Sequence, residues 1–168
     1  RLVILTEFFM ENPRKHIQLP FFVDLCETTK SSISEDLDII DNVFKTQGLG
    51  YLERTTGAGG GVKYIPEISL EKSSQFIEEL RKELQDASRI LPGGYLYMSD
   101  ILGNPKLVRE IGRIFASRFS KLDIDVVVTV ATKGIPLAYA VASFLEVPVV
   151  IVRRDPKVTE GSSVSINY

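Results

Sequence analysis

The 168 residues suffice for one ordinary domain or two small ones, and 44% hydrophobic content with evenly spread charge reads as soluble and globular. A net charge of −2 argues against indiscriminate polyanion binding but leaves room for local basic patches. The one cysteine, Cys26, excludes an intrachain disulfide and suits a reducing, cytoplasmic setting, and no apolar run approaches the roughly 18 residues of a membrane span.

The first half reads as three helices and a hairpin. Leu2, Leu5 and Phe9 recur at helical spacing, and Asn12-Pro13 ends that helix. Pro20 opens a second short helix carrying Phe21, Phe22, Leu25 and Cys26. A third follows in KSSISEDLDIIDNVFK, where Ser32 and Glu35 have capping-box spacing and Asp36 sits in the first turn, favoured by the helix dipole. Ile33, Leu37, Ile40 and Phe44 form its apolar stripe, and Gly48 stops it. Tyr51 to Thr56 and Val62 to Ile65 are β-like runs around GAGGG, whose glycines supply positive φ. GAGGG lacks both GxxxxGK[ST] and GxGxxG spacing, so a hairpin turn is preferred to a nucleotide loop. This order is that of a winged helix, in which the third helix enters the major groove and the hairpin is the wing.

Pro66 closes the hairpin, and a connector helix is expected from about Leu70 to Asp86. LPGGYLYMSDI is aromatic and turn-rich. Asn104 to Lys121 reads as a helix with Leu107, Ile111, Ile114, Phe115 and Phe119 as its core side. Asp125 to Ala131 and Val147 to Val152 read as strands buried on both faces, with a helix over 135–145 between them. That is a strand–helix–strand unit. The expected domains are therefore 1–69 and 70–168, with 70–90 as connector.

Two places carry chemistry. Thr132, Lys133 and Gly134 lie at the carboxyl end of a strand, where open α/β sheets bind ligands and where a helix start offers free N–H groups to an anion. A phosphate loop and a solvated lysine in a tight turn fit these residues about equally. Past the second strand, Arg153, Arg154 and Lys157 sit in a Pro-, Gly- and Ser-containing stretch that reads as an exposed connector, or as a basic loop closing over an anion.

The third helix opens on Lys30, Ser31, Ser32 and Ser34, small and polar enough for a groove, while Arg54 and Lys63 on the wing are placed for phosphates. Asp38 and Asp41 face outward and would repel phosphate. Residues 1–66 hold seven Lys plus Arg against nine Asp plus Glu, 7 − 9 = −2, so a protein-binding winged helix stays open. His16, the only histidine, has no partner at metal-ligand or triad spacing and reads as a loop residue, and Cys26 reads as core. No metal or Ser/His/Asp constellation is present in the sequence.

Taken together, KSSISEDL, GAGGGVKYIP, RILPGGYLYMSDILGNP, VVVTVATKGIPLAYA and VPVVIVRRDPKVTEGSSVSINY closely resemble the bacterial purine operon repressors. The resemblance implies a winged-helix domain joined to a type I phosphoribosyltransferase-like α/β domain. It implies a dimeric transcription factor on double-stranded operator DNA, with 5-phosphoribosyl-1-pyrophosphate (PRPP), or a related phosphorylated nucleotide, as effector and no required cofactor. VATKGIPLA resembles the pyrophosphate loop, putting Thr132, Lys133 and Gly134 beside the effector. DPKVTEGSS resembles the loop that closes over the site and contains Lys157. LPGGYLY resembles the hood, with Tyr95 against the ligand.

The family's acidic pair and glycine-rich ribose 5-phosphate loop belong downstream of Tyr168, and the chain opens on Arg1 rather than Met. The resemblance thus implies a chain continuing at both ends, an incomplete sheet, and weak PRPP binding by these 168 residues alone. An active purine phosphoribosyltransferase with an accessory winged helix is the alternative, and a protein adaptor using the acidic third helix is a weaker third.

Overall fold

The computed structural model describes residues 1–57 and 59–154, a mixed α/β chain. The first helix, α1 (Leu2–Glu11), ends at Asn12, and α2 (Leu19–Leu25) carries Pro20 in its first turn. The third, α3 (Lys30–Gln47), stops at Gly48, whose φ of +63° is the left-handed conformation a glycine C-cap takes up without a Cβ penalty. The hairpin β1 (Gly50–Thr55) and β2 (Gly61–Pro66) pairs antiparallel from Gly50↔Pro66 to Thr55↔Gly61. Three helices and a hairpin are thus present in the expected order.

Leu5, Phe9, Phe22, Ile33, Leu37, Ile40, Phe44, Leu52, Val62 and Tyr64 close one apolar core beneath them. Phe8, Phe9, Phe21 and Phe22 mesh their rings with centroids 5.1–6.1 Å apart. Tyr64 lies against Phe44, with centroids 4.6 Å apart, and its hydroxyl donates to the Leu49 carbonyl at 2.7 Å.

Burial pushes the Tyr64 phenol up from 10.0 to about 12. Because the folded value is raised, the stability that Tyr64 contributes is complete below the unfolded value of 10.0 and is lost as pH climbs through about 12. Denaturant midpoints should therefore fall less steeply across that window in Tyr64→Phe than in the parent. An identical alkaline fall would remove Tyr64 as its source.

Two expectations about α3 are corrected. Its cap is Thr29, whose Oγ1 accepts from the Ser32 amide at 3.3 Å, so Ser32 already lies within the helix and does not box with Glu35. Thr29 and Ser32 are both followed three residues later by a partner amide, and the extended backbone of Thr29 decides between them. Asp36 is therefore a full turn beyond the first. It is buried, and Arg1 Nε donates to its Oδ2 at 2.7 Å.

A connector, α4 (Leu70–Leu84), is capped by Ser69, and the Lys72 ammonium donates to the Gln47 carbonyl at the end of α3. Next come the small hairpin β3 (Ile90–Leu91) and β4 (Tyr95–Leu96), α5 (Ser99–Leu102) and α6 (Pro105–Arg118). The last described elements are β5 (Val127–Val130), α7 (Ile135–Leu145) and β6 (Val149–Val152), with β5 and β6 parallel in the register Val127↔Val149.

The buried side of α6 is Val108, Gly112, Ile114 and Ala116, whereas Phe115 and Phe119 are exposed. Ile114 is buried as expected, and Gly112 joins it because α7 approaches closely: a Cβ on Gly112 would lie 2.6 Å from Ala140 Cβ. Among the described residues, β5 and β6 are covered on one face. Val127, Thr129, Val149 and Ile151 are half-buried, while Val128 and Val130 are 59% and 68% exposed.

Candidate nucleic-acid interface and effector loop

With Thr29 as the cap, Lys30, Ser31 and Ser32 form the first turn of α3 and Ser34 begins the second. Lys30 and Ser31 are exposed, and Ser32 and Ser34 half-buried. Thr29 Oγ1 lies 2.9 Å from Ser31 Oγ and 3.1 Å from Ser32 Oγ, so the hydroxyls form a small network at the helix start.

Both wing cations are paired. Arg54 Nη2 lies 2.7 Å from Asp38 Oδ1, joining β1 to α3, and Lys63 Nζ lies 2.6 Å from Glu53 Oε2 on the facing strand. Asp38 is 72% exposed, so water screens its pair and an incoming phosphate can compete for Arg54. Asp41 does something else: it takes Lys45 Nζ at 2.6 Å and accepts from the Leu52 amide at 2.8 Å, tacking the wing strand onto α3. The two aspartates read as phosphate-repelling in the sequence are thus each paired with a cation, one of them a residue expected to contact DNA.

His16 lies in the loop between α1 and α2, as expected. Its Nε2 lies 2.8 Å from Thr55 Oγ1, which also accepts from the Gly61 amide at 3.2 Å. Ile17 exchanges two backbone hydrogen bonds with Val62, at 2.9 and 2.8 Å, adding a third edge to the wing sheet. A Cβ on Gly61 would meet both the Ile17 carbonyl and the His16 ring, so this glycine admits the extra edge. A two-residue bridge leaves no periodic signal in sequence.

At the other candidate site, the β5–α7 connection holds Thr132 and Lys133 exposed. The Ile135 amide donates to the Thr132 carbonyl at 3.2 Å, and Gly134 caps α7 with φ −73°. Gly134 does not serve a left-handed turn. A Cβ there would strike Thr129 Oγ1, so its absence lets the start of α7 sit directly on β5. Tyr95, on the β3–β4 hairpin, is 72% exposed beyond a Gly93-Gly94 turn with φ of +87° and +79°. That hairpin is pinned by Arg89, whose guanidinium reaches Glu83 at 2.6 Å and Asp100 at 2.9 Å and holds the Asp100 carboxyl below its ordinary range. Lys157 and the rest of the expected closing loop lie outside the described residues.

Three helices and a hairpin are thus followed by a strand–helix–strand unit whose first connection exposes Thr132 and Lys133. Residues 1–66 match the family model described as bacterial purine repressor, N-terminal, and residues 98–168 match that of the phosphoribosyl transferase domain. Over all 168 residues the chain is 56% identical to the purine biosynthesis transcriptional repressor PurR of Bacillus subtilis, covering 59% of that protein. It is 49% identical, again over its full length, to the purine biosynthesis transcriptional activator PurR of Lactococcus lactis, covering 62% of it. A xanthine phosphoribosyltransferase of Listeria innocua is 36% identical over 83 residues, 48% of this chain and 43% of that enzyme. The resemblance to purine repressors read from the sequence therefore runs through both domains, and the chain spans about three fifths of the length of these regulators.

Proposed function

We propose that this chain is the DNA-reading and partial effector-sensing portion of a cytoplasmic, dimeric repressor of purine synthesis and salvage genes. Residues 1–69 hold operator DNA, with Lys30, Ser31, Ser32 and Ser34 toward the major groove and Arg54 and Lys63 on the phosphate backbone. Residues 70–168 supply Tyr95, Thr132, Lys133, Gly134 and Lys157 to a PRPP site that senses ligand without turning it over. PRPP weakens operator binding by preferring the conformation that holds DNA less well.

The observation that carries this reading is the contrast in coverage. Similarity to transcriptional regulators runs the whole chain, whereas similarity to a transferase stops at 83 residues. A lysine at a strand end also suits departing pyrophosphate, so the enzymatic reading has its own chemistry. The test is fluorescence anisotropy of a labelled purine-operon control duplex with the full-length protein, against a scrambled duplex, at two salt concentrations, with and without PRPP. The reading expects tight sequence-dependent binding that PRPP weakens. Equal weak binding to both duplexes, together with base-dependent pyrophosphate release, would establish the enzyme instead.

A further inference from the structure

Arg14 links the two domains at a point that neither the groove contacts nor the effector loop explains. It follows Asn12-Pro13 with φ of +63°, an uncommon conformation for a side-chain-bearing residue. Its amide donates to the carbonyl of Tyr64 on wing strand β2 at 2.8 Å. Its guanidinium reaches the other way: Nη1 donates to the Ser120 carbonyl at 3.0 Å and Nη2 to the Leu122 carbonyl at 3.3 Å. One residue thus grips the wing by its backbone and the segment between α6 and β5 by its side chain.

That segment is mechanically tied to the effector loop. It leads into β5, whose far end carries Thr132 and Lys133, and it continues from α6, which packs through Gly112 onto α7. The first residues of α7 directly follow that loop. The Ile68 amide, donating to Ser117 Oγ at 3.3 Å, adds a second directional tie nearby.

Around these ties the junction is open. A cavity of about 490 Å³ lies between the domains, lined by Met10, Pro13, Tyr64, Arg109, Arg113 and Phe144 among others. Arg113 Nε is buried there without a hydrogen-bond partner among the described residues. A junction held by a few directional bonds around a void can re-seat, whereas a close-packed one resists displacement.

We infer that Arg14 is a positioning residue, the latch that transmits occupancy of the effector loop to the wing. A shift of the loop on ligand binding moves β5 and α7. It thereby changes the grip of Ser120 and Leu122 on the guanidinium, and Arg14 passes the change to β2 through Tyr64. This inference rests on the functional reading above and names the regulation of that same site.

The test uses full-length protein carrying Arg14→Gly, because glycine accepts the left-handed backbone and loses only the side chain. The variant should bind operator within about twofold of the parent without PRPP, and should bind PRPP normally. The PRPP effect on operator affinity, expected in the range of about 5–150-fold for the parent, should shrink to about twofold or less. An undiminished PRPP effect would overturn the latch, and so would loss of PRPP binding, which would make Arg14 a structural support. A parent that ignores PRPP in the DNA assay would instead count against the functional reading. Hydrogen exchange of residues 62–66 on adding PRPP then decides the latch without DNA. A change in the parent that vanishes in Arg14→Gly supports it, and no change in the parent, or the same change in both, overturns it.

Discussion

Gly50→Ala is expected to destabilise the protein by about 3 kcal/mol or more, combining a disallowed backbone with an overpacked junction. Gly50 has φ of +132°, which L side chains rarely adopt. A Cβ there would fall on the Ile65 carbonyl oxygen and lie 2.8 Å from the Glu67 amide, both of them backbone atoms that cannot swing aside. The position sits at the foot of the wing, opposite Pro66, beside the Leu49 carbonyl that accepts from Tyr64 and from the Glu67 amide. A thermal melt should show a drop of roughly 6–12 °C, and operator affinity should fall because the wing loses its anchor. A midpoint within about 2 °C of the parent would mean that the foot of the wing is not built as described.

The Arg54–Asp38 pair supplies the second large effect. If the wing contacts phosphate, DNA must take Arg54 from Asp38, and the two substitutions should act in opposite directions. Arg54→Ala should weaken operator and scrambled duplexes about equally and flatten the dependence of log affinity on log salt by about 1. Asp38→Asn should strengthen binding, most at low salt, because it removes both a competitor for Arg54 and a charge that repels phosphate. The double variant should lose most of that gain, since little then remains for the aspartate to restrain. A sequence-selective loss in Arg54→Ala would mean that the wing reads bases. An Asp38→Asn gain that persists without Arg54 would assign the effect to general repulsion.

The punctuation of the fold was legible in the sequence because it is local. Asn12-Pro13, Pro20 and Gly48 mark helix ends through their own backbone preferences, and the structure places those ends there. The β5–α7–β6 unit was legible for a similar reason, with α7 spanning Ile135–Leu145 as expected. What failed depends on neighbours distant in sequence. The burial of Gly112 on α6 shows its meaning only when α7 is known to press on it. The exception is the choice of Thr29 over Ser32 as cap, which is local but turns on backbone angles.

The candidate sites divide in the same way. The polar start of α3 and the exposed Thr132-Lys133 seam stand where the sequence put them. Charge pairing was not legible, because counting acids and bases cannot show that Asp38 pairs with Arg54 or that Asp41 holds Lys45 and the Leu52 amide. Arg14 drew no notice, since nothing in Asn12-Pro13-Arg14 tells of carbonyls more than a hundred residues away, at Ser120 and Leu122. The partner of His16 was hidden for the same reason.

If one protein both reads operator DNA and senses PRPP as proposed, each ligand must alter the affinity for the other. The most direct measurement is PRPP affinity of the full-length protein, free and saturated with operator duplex. Linkage requires operator to weaken PRPP binding by the same factor that PRPP weakens operator binding, and the account predicts that equality. Equal PRPP affinity in the two states would contradict it.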